Sequence, residues 1–271
     1  MTTSDTDRSP FRRAVAWRRD GDLFHGDIDA IWAQGRATYG GVIAAGALGA
    51  MQTLVDPARA VRSLLVNYVA PVEPGAVTCR VEVLRAGKAA TQLYARVEQD
   101  GAVGIVVNGV FGSARPSPVQ VAAPPVPAMT PVEAVDDIPF IEELSPRFTR
   151  LVRYRWGRGS LPFSGGDSSD IGGHVRFVDA VGEIDAQVVV GILDAWPAPV
   201  MSRVLGPVRA SSMSWCIDFL QPLPAASADG WWSYAADTLF ATDGYAAHEE
   251  WLWSPQGQPV ARGSQLVAVF G

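Results

Sequence analysis

The sequence predicts an α+β fold of two like modules, each a buried helix wrapped by a curved antiparallel sheet. Three observations predict it. Two nearly all-apolar segments, "GVIAAGALGAMQTLV" from Gly41 and "IDAQVVVGILDAW" from Ile184, lie far apart in the chain. Short alternating runs with hairpin signals between them follow each segment. The runs also repeat: "SLLVNYVAPV" from Ser63 aligns without gaps on "SWCIDFLQPL" from Ser214, so Val66 meets Ile217, Asn67 meets Asp218, Tyr68 meets Phe219 and Pro71 meets Pro222.

A chain of 271 residues with 48% hydrophobic composition can build two sizeable cores and lies far from the disordered regime. The net charge of −6 and the lack of any long basic run argue against nucleic-acid binding. The opening "MTTSDTDRSPFRR" has no apolar core of a secretory signal. The longest apolar run, "VIAAGALGAM" from Val42, is too short to span a bilayer. A soluble cytoplasmic protein without membrane partners is expected. Cys79 and Cys216 are read as small hydrophobes rather than a disulfide.

A helix apolar all round is a buried helix. The first is placed at about Gly41 to Val55 and the second at about Ile184 to Trp196, each about 21 Å long. Strands come next. In "RVEVLRAG" from Arg80, the side chains of Val81, Val83 and Arg85 share a face; in "TQLYARVEQDG" from Thr91, those of Leu93, Ala95 and Val97 do. Ala86-Gly87, Asp100-Gly101, Asp243-Gly244 and Gln256-Gly257 mark the turns. "QDGAVGIVVNGVFG" from Gln99 and "PQGQPVARGSQLVAVFG" from Pro255 close the two halves alike. Between the halves, six prolines from Pro116 to Pro131 exclude a helix or a central strand. Residues 1–115 and 138–271 are therefore expected to be modules, joined by a Pro-rich linker at 116–137. Two such modules meeting edge to edge make a double hotdog.

The stretches "WAQGRATYGGVIAAGAL" from Trp32, "VAPVEPGAVTCRVEVLRAGK" from Val69 and "GYAAHEEWLWSPQGQPVARGSQ" from Gly244 resemble, in order, the acyl-CoA thioesterase II family of double-hotdog enzymes. The resemblance runs from about Trp32 to the C-terminus. It implies hydrolysis of acyl-CoA to free acid and coenzyme A by an activated water, with no metal or bound cofactor, and association into oligomers through outer sheet faces. It also implies three site residues. The family's helix Asp corresponds to Asp194, its last-strand Gln to Gln265 and its strand-opening Thr to Ser212, where serine keeps the hydroxyl and loses the methyl. Ser211 and Ser214 lie close enough to make the Ser212 match less secure than the other two. A carboxylate can take the proton of the water, and a hydroxyl and an amide can fix its direction. The start of the first helix, "TYGG", offers backbone N–H groups, so Gly40 or Gly41 is expected to hold the thioester oxygen.

From the residues alone, Asp194 is either a solvent-facing residue before Pro197 or a group the fold needs. The glycines at 40 and 41 equally suit close helix–sheet packing. His25, His174 and His248 have neither metal nor triad spacing; "HEEWL" lacks the second histidine of a zinc-hydrolase helix, and no G-x-S-x-G elbow occurs. Two other functions stay open. One is a hotdog protein that binds acyl-CoA without turning it over. The other is an enoyl-CoA hydratase-type enzyme using "FHGDID" from Phe24. Hydrolysis, hydration or mere binding with a panel of acyl-CoAs separates them.

Overall fold

A computed structural model describes residues 9–270; the polar stretch 1–8 and residue 271 lie outside the described residues. The chain opens with α1 (Pro10–Val15), then β1 (Arg18–Asp20), β2 (Leu23–Ile28), a two-residue pair β3 (Ala33–Gln34) and β4 (Ala37–Thr38), and α2 (Gly40–Gln52). The strands β5 (Ala60–Tyr68), β6 (Gly75–Ala86), β7 (Ala90–Gln99) and β8 (Ala102–Gly112) complete the first half. The second half holds β9 (Val152–Gly159), β10 (Asp170–Phe177), α3 (Ala186–Leu193), β11 (Arg209–Phe219), β12 (Trp232–Thr242), β13 (Tyr245–Trp253) and β14 (Pro259–Phe270).

Twelve strands form one antiparallel sheet in the order β1-β2-β6-β7-β8-β5-β11-β14-β13-β12-β10-β9. Read outward from the β5–β11 junction, the two halves have the same order, so the modules are repeats joined edge to edge: the double hotdog expected. The alignment that equates Val66 with Ile217 also equates Leu65 with Cys216, and these two are ladder partners. Residues that a repeat equates can face each other only at its two-fold axis, so the axis passes through that pair. Both Asp-Gly turns have positive φ at both central residues, 51° and 80° at Asp100 and Gly101 and 52° and 77° at Asp243 and Gly244, as tight hairpins need.

The helices fill the concavity of the sheet. Ten residues of α2, on every side of it, are buried, each large aliphatic one contributing about 1.5–3 kcal/mol. The helix ends at Gln52 rather than Val55. The second helix is shorter than expected, Ala186–Leu193 instead of Ile184–Trp196. Its start is fixed by Asp185, whose side chain caps the Val188 amide at 2.9 Å. Its end is fixed by Pro197, which keeps the preceding residue out of helical geometry. Asp194 is thus the C-cap. On β6 the expected shared face runs out of the core: Val81 is half-buried, Val83 is 42% exposed, and a bulge separates Val83 from Arg85. Leu93, Ala95 and Val97 of β7 are all buried as expected.

The sequence gives no signal for α1, yet it links the helices. Phe11 packs on Gly191 of α3, and Arg12 ion-pairs with Asp185 and donates to the Val181 carbonyl at 2.9 Å. Trp17 follows and lies against Gly46 of α2 and Gly26 of β2, its indole N–H held by the Ala14 carbonyl at 3.0 Å. A methyl at position 46 would sit inside that ring. Gly46→Ala gains helix propensity but overpacks, and a net loss of about 1–2 kcal/mol is expected by urea denaturation.

Candidate active site

The two helices run antiparallel in close contact, because Gly41, Ala45 and Gly49 keep one side of α2 bare. Gln187 of α3 donates to the Ala45 carbonyl at 3.0 Å and fills the space beside Gly49. At the other end, the buried Tyr39 hydroxyl donates to the Gly191 carbonyl. Beyond it, the C-cap of α3 meets the first turn of α2, and the Gly41 amide donates to the Asp194 carboxylate. That contact corrects one expectation: the Gly41 N–H serves Asp194 and is not free for a thioester oxygen. The Gly40 amide remains, one of the first-turn N–H groups with no acceptor in its own helix.

Of the other two expected residues, Gln265 meets Asp194 and Ser212 meets Gln265. Gln265 of β14 donates from Nε2 to Asp194 Oδ1 at 2.9 Å, and its Oε1 accepts from Ser212 Oγ of β11 at 3.1 Å. The amide is therefore held at both ends. Strand alternation counted back from the buried Trp215 would turn Ser212 outward. A bulge reverses it: β11 takes three steps from Trp215 to Ser212 while β14 takes two from Gln265 to Val267. Met213 is the extra residue and is exposed. Ser212 thereby joins the inner face with Gln265, while Ser211 is exposed.

Asp194, Ser212 and Gln265 line a pocket of about 270 Å³, together with Thr38, Gly40, Ile43 and Tyr68 of the first module. A larger, mostly apolar cleft of about 990 Å³ adjoins it and shares Asp194 and Trp196 with it. Phe140, Phe148, Trp156 and Phe163 are among its walls. His25 lines neither cavity. Among the described residues no group of three His, Cys, Asp or Glu side chains could hold a metal ion, and no helix is long and apolar enough to cross a membrane.

Asp194 is enclosed by protein but half-buried, keeping its solvent contact through the pocket. Burial pushes its carboxyl up to about 7, against the lowering pull of the Gln265 and Gly41 hydrogen bonds. A second buried carboxyl, Glu250 on β13, accepts from Trp215 Nε1 at 2.6 Å and from the Tyr234 hydroxyl at 2.8 Å. Burial pushes it up to about 8. Tyr234 in turn stacks on Trp196, with ring centroids 5.0 Å apart. Sequence reading missed this support and also missed Tyr68. His248, read as having no special spacing, is the cross-strand partner of Gln265.

The raised carboxyl makes a stability prediction. Below pH 4 Asp194 is protonated whether folded or unfolded; between pH 4 and 7 the folded state holds the proton more tightly, so stability falls as pH rises through that window and levels off above it. Asp194→Asn removes this loss. Its stability relative to the wild type should be near zero at pH 4 and should rise by at least about 1 kcal/mol by pH 8, read from denaturation curves at each pH.

Comparison with known proteins agrees with this architecture. The acyl-CoA thioesterase N-terminal domain family matches residues 28–112, and the acyl-CoA thioesterase C-terminal domain family matches residues 127–269. A hot dog fold protein of unknown function from Alicyclobacillus acidocaldarius superposes with a TM-score of 0.83 at 22% identity, covering 100% of this chain and 99% of that one. The acyl-CoA thioesterase II TesB2 of Mycobacterium marinum superposes with a TM-score of 0.72 at 16% identity, covering 96% and 98%. A tesB protein of Mycobacterium avium subs paratuberculosis gives 0.75 at 15%, also covering 96% and 98%. At these identities the superpositions establish the fold alone. No curated protein matches the chain significantly. The C-terminal family model by itself spans more than half of the chain, and the chain belongs to the acyl-CoA thioesterase family.

Proposed function

We propose that the protein hydrolyses acyl-CoA thioesters, with Asp194 as the base, Gln265 and Ser212 as its aligning partners, and Gly40 as a donor to the thioester oxygen. One observation carries this reading: the hydrogen-bonded chain Ser212–Gln265–Asp194 ends on a carboxylate between a small pocket and a large apolar cleft. The small pocket suits a water and the thioester, and the cleft suits the acyl group.

In this mechanism a water bound against Asp194 attacks the carbonyl carbon as its proton passes to the carboxylate. The carbonyl π electrons move to oxygen, beside the Gly40 amide. When the carbonyl re-forms, the C–S bond breaks, and the thiolate of coenzyme A takes the proton held by Asp194. A carboxyl pushed up to about 7 suits both steps, since it gives up and regains its proton near neutrality. Oligomers formed through outer sheet faces belong to the same proposal.

The test is turnover of a panel of acyl-CoAs, followed by thiol release. The wild type should release thiol with a kcat that rises with pH to a plateau, with a midpoint near 7. Asp194→Asn should lower kcat by roughly 10²-fold or more, and Ser212→Ala or Gln265→Ala by about 10-fold each, with little change in affinity. Pairs of these changes should cost less than the product of the singles, because the groups act as a unit. Ser212→Thr should be tolerated. Tight binding of acyl-CoA with no thiol release would replace this reading with that of a binding protein, and a fully active Asp194→Asn enzyme would reject the base.

A further inference from the structure

The two modules share a strand order and matching bulges in β5 and β11, and their side chains differ at the site. Ser212 pairs with Val267 beyond the β11 bulge; its counterpart in the first module is Val61, which pairs with Phe111 beyond a bulge of β5 that lies between Val61 and Ser63. Gln265, opposite Trp215, corresponds to Gly109, opposite Leu64. The site's hydroxyl and amide are thus replaced by a methyl-bearing chain and by nothing at the symmetry-related place. A third pair breaks the symmetry in the same sense. The repeat equates Tyr68 with Phe219, and the tyrosine is the member whose side chain lines the pocket holding Asp194, Ser212 and Gln265.

Tyr68 is the last residue of β5 and continues the inner face set by Leu64 and Val66. Its Oη is buried without a hydrogen-bond partner among the described residues. A Cβ added to Gly40 would lie 2.8 Å from that oxygen, so the hydroxyl lies directly over the start of α2. A buried hydroxyl without a partner is costly, and the related position holds a buried phenylalanine, so the Tyr68 hydroxyl is accounted for by something that enters the pocket. Burial, with Asp194 and Glu250 nearby, pushes the phenol well above its ordinary value, so it stays protonated and can donate.

We infer that the Tyr68 hydroxyl is a catalytic residue of this site, a side-chain donor that joins the Gly40 amide on the thioester oxygen as negative charge develops there. The inference rests on the thioester-hydrolysis reading. It places the electrophilic side of the reaction on the first module and the water with its base on the second, so the carbonyl carbon lies between them. No proton leaves Tyr68; its O–H donates to the oxygen in the tetrahedral intermediate and releases it when the C–S bond breaks. Thr38 Oγ1, also buried without a partner and lining the same pocket, is the competing donor.

The deciding experiment compares Tyr68→Phe with the wild type on two non-hydrolysable ligands, an S-alkyl coenzyme A thioether and one of equal length bearing a trifluoromethyl ketone, which hydrates to a tetrahedral diol. The wild type should prefer the ketone, and the variant should lose about 10-fold or more of that preference while binding the plain thioether equally well. With acyl-CoA, kcat should fall by about 10²-fold with KM within about threefold, and the melting temperature should not drop, since no protein hydrogen bond is lost. A variant that keeps the preference overturns the inference, as does a wild type with no preference to lose. Loss of the preference in Thr38→Val instead assigns the donor to Thr38 and overturns it too. A wild type that never releases thiol yet shows the Tyr68-dependent preference would reject the hydrolysis reading while leaving the carbonyl contact standing.

Discussion

The contact between the two buried helices governs everything else in this molecule. Two helices can lie this close only where one has almost no side chains on the facing side, and Gly41, Ala45 and Gly49 provide that strip at helical spacing. The approach brings the C-cap of α3 to the first turn of α2. A carboxylate at a helix C-terminus is unfavourable to its own helix, but here the N-terminus of the other helix receives it. Asp194 therefore belongs electrostatically to α2 while it belongs covalently to α3. Without the bare strip the carboxylate would lose the Gly41 amide, and the pocket between the modules would open.

Duplication explains the scaffold, and departures from it explain the site. The ladder through Leu65 and Cys216 fixes one axis for both modules, so each strand of the sheet in one has a counterpart in the other. Bulges occur at matching places in β5 and β11 and would turn either Val61 or Ser212 inward. The backbone is thus prepared twice, but the inward-facing hydroxyl and amide, Ser212 and Gln265, exist once. Symmetry of the fold with asymmetry of the side chains allows one module to carry the carboxylate while the other supplies the helix N-terminus that faces it.

Much of this was legible in the sequence. The repeat, the two apolar helices and the Asp-Gly turns all report local patterns, and local patterns survive in a linear reading. Asp194 was conspicuous because a carboxylate in an apolar run needs a partner, and the structure gives it two, Gln265 and Gly41. What was lost has geometric causes. The extent of α3 depended on a capping aspartate at one end and a proline at the other, both of which apolar periodicity ignores. The facing of Ser212 depended on one extra residue, Met213, which inverts the alternation that would otherwise turn Ser212 outward. The assignment of the Gly41 amide depended on a helix more than a hundred residues away. Tyr68 was visible only as half of an alignment pair with Phe219, and its hydroxyl gained meaning once the pocket showed what lay beside it.

A second buried carboxyl, Glu250, lies behind the pocket that Asp194 lines. Glu250 is 1% exposed and has both oxygens occupied, by Trp215 and Tyr234. Pushed up to about 8, it is mostly protonated at neutral pH, and the neighbouring His248, pushed down to about 4 by burial, is neutral there. The polar cluster behind the site thus carries little charge when Asp194 ionises near 7. The charge on Asp194 raises the Glu250 carboxyl further, so the two groups titrate as a coupled pair. Glu250 instead acts through shape: it holds the Tyr234 hydroxyl, the Tyr234 ring stacks on Trp196, and Trp196 lies two residues beyond the carboxylate in the wall that both cavities share. The Tyr234–Glu250 hydrogen bond and the Tyr234–Trp196 stack brace that wall from behind.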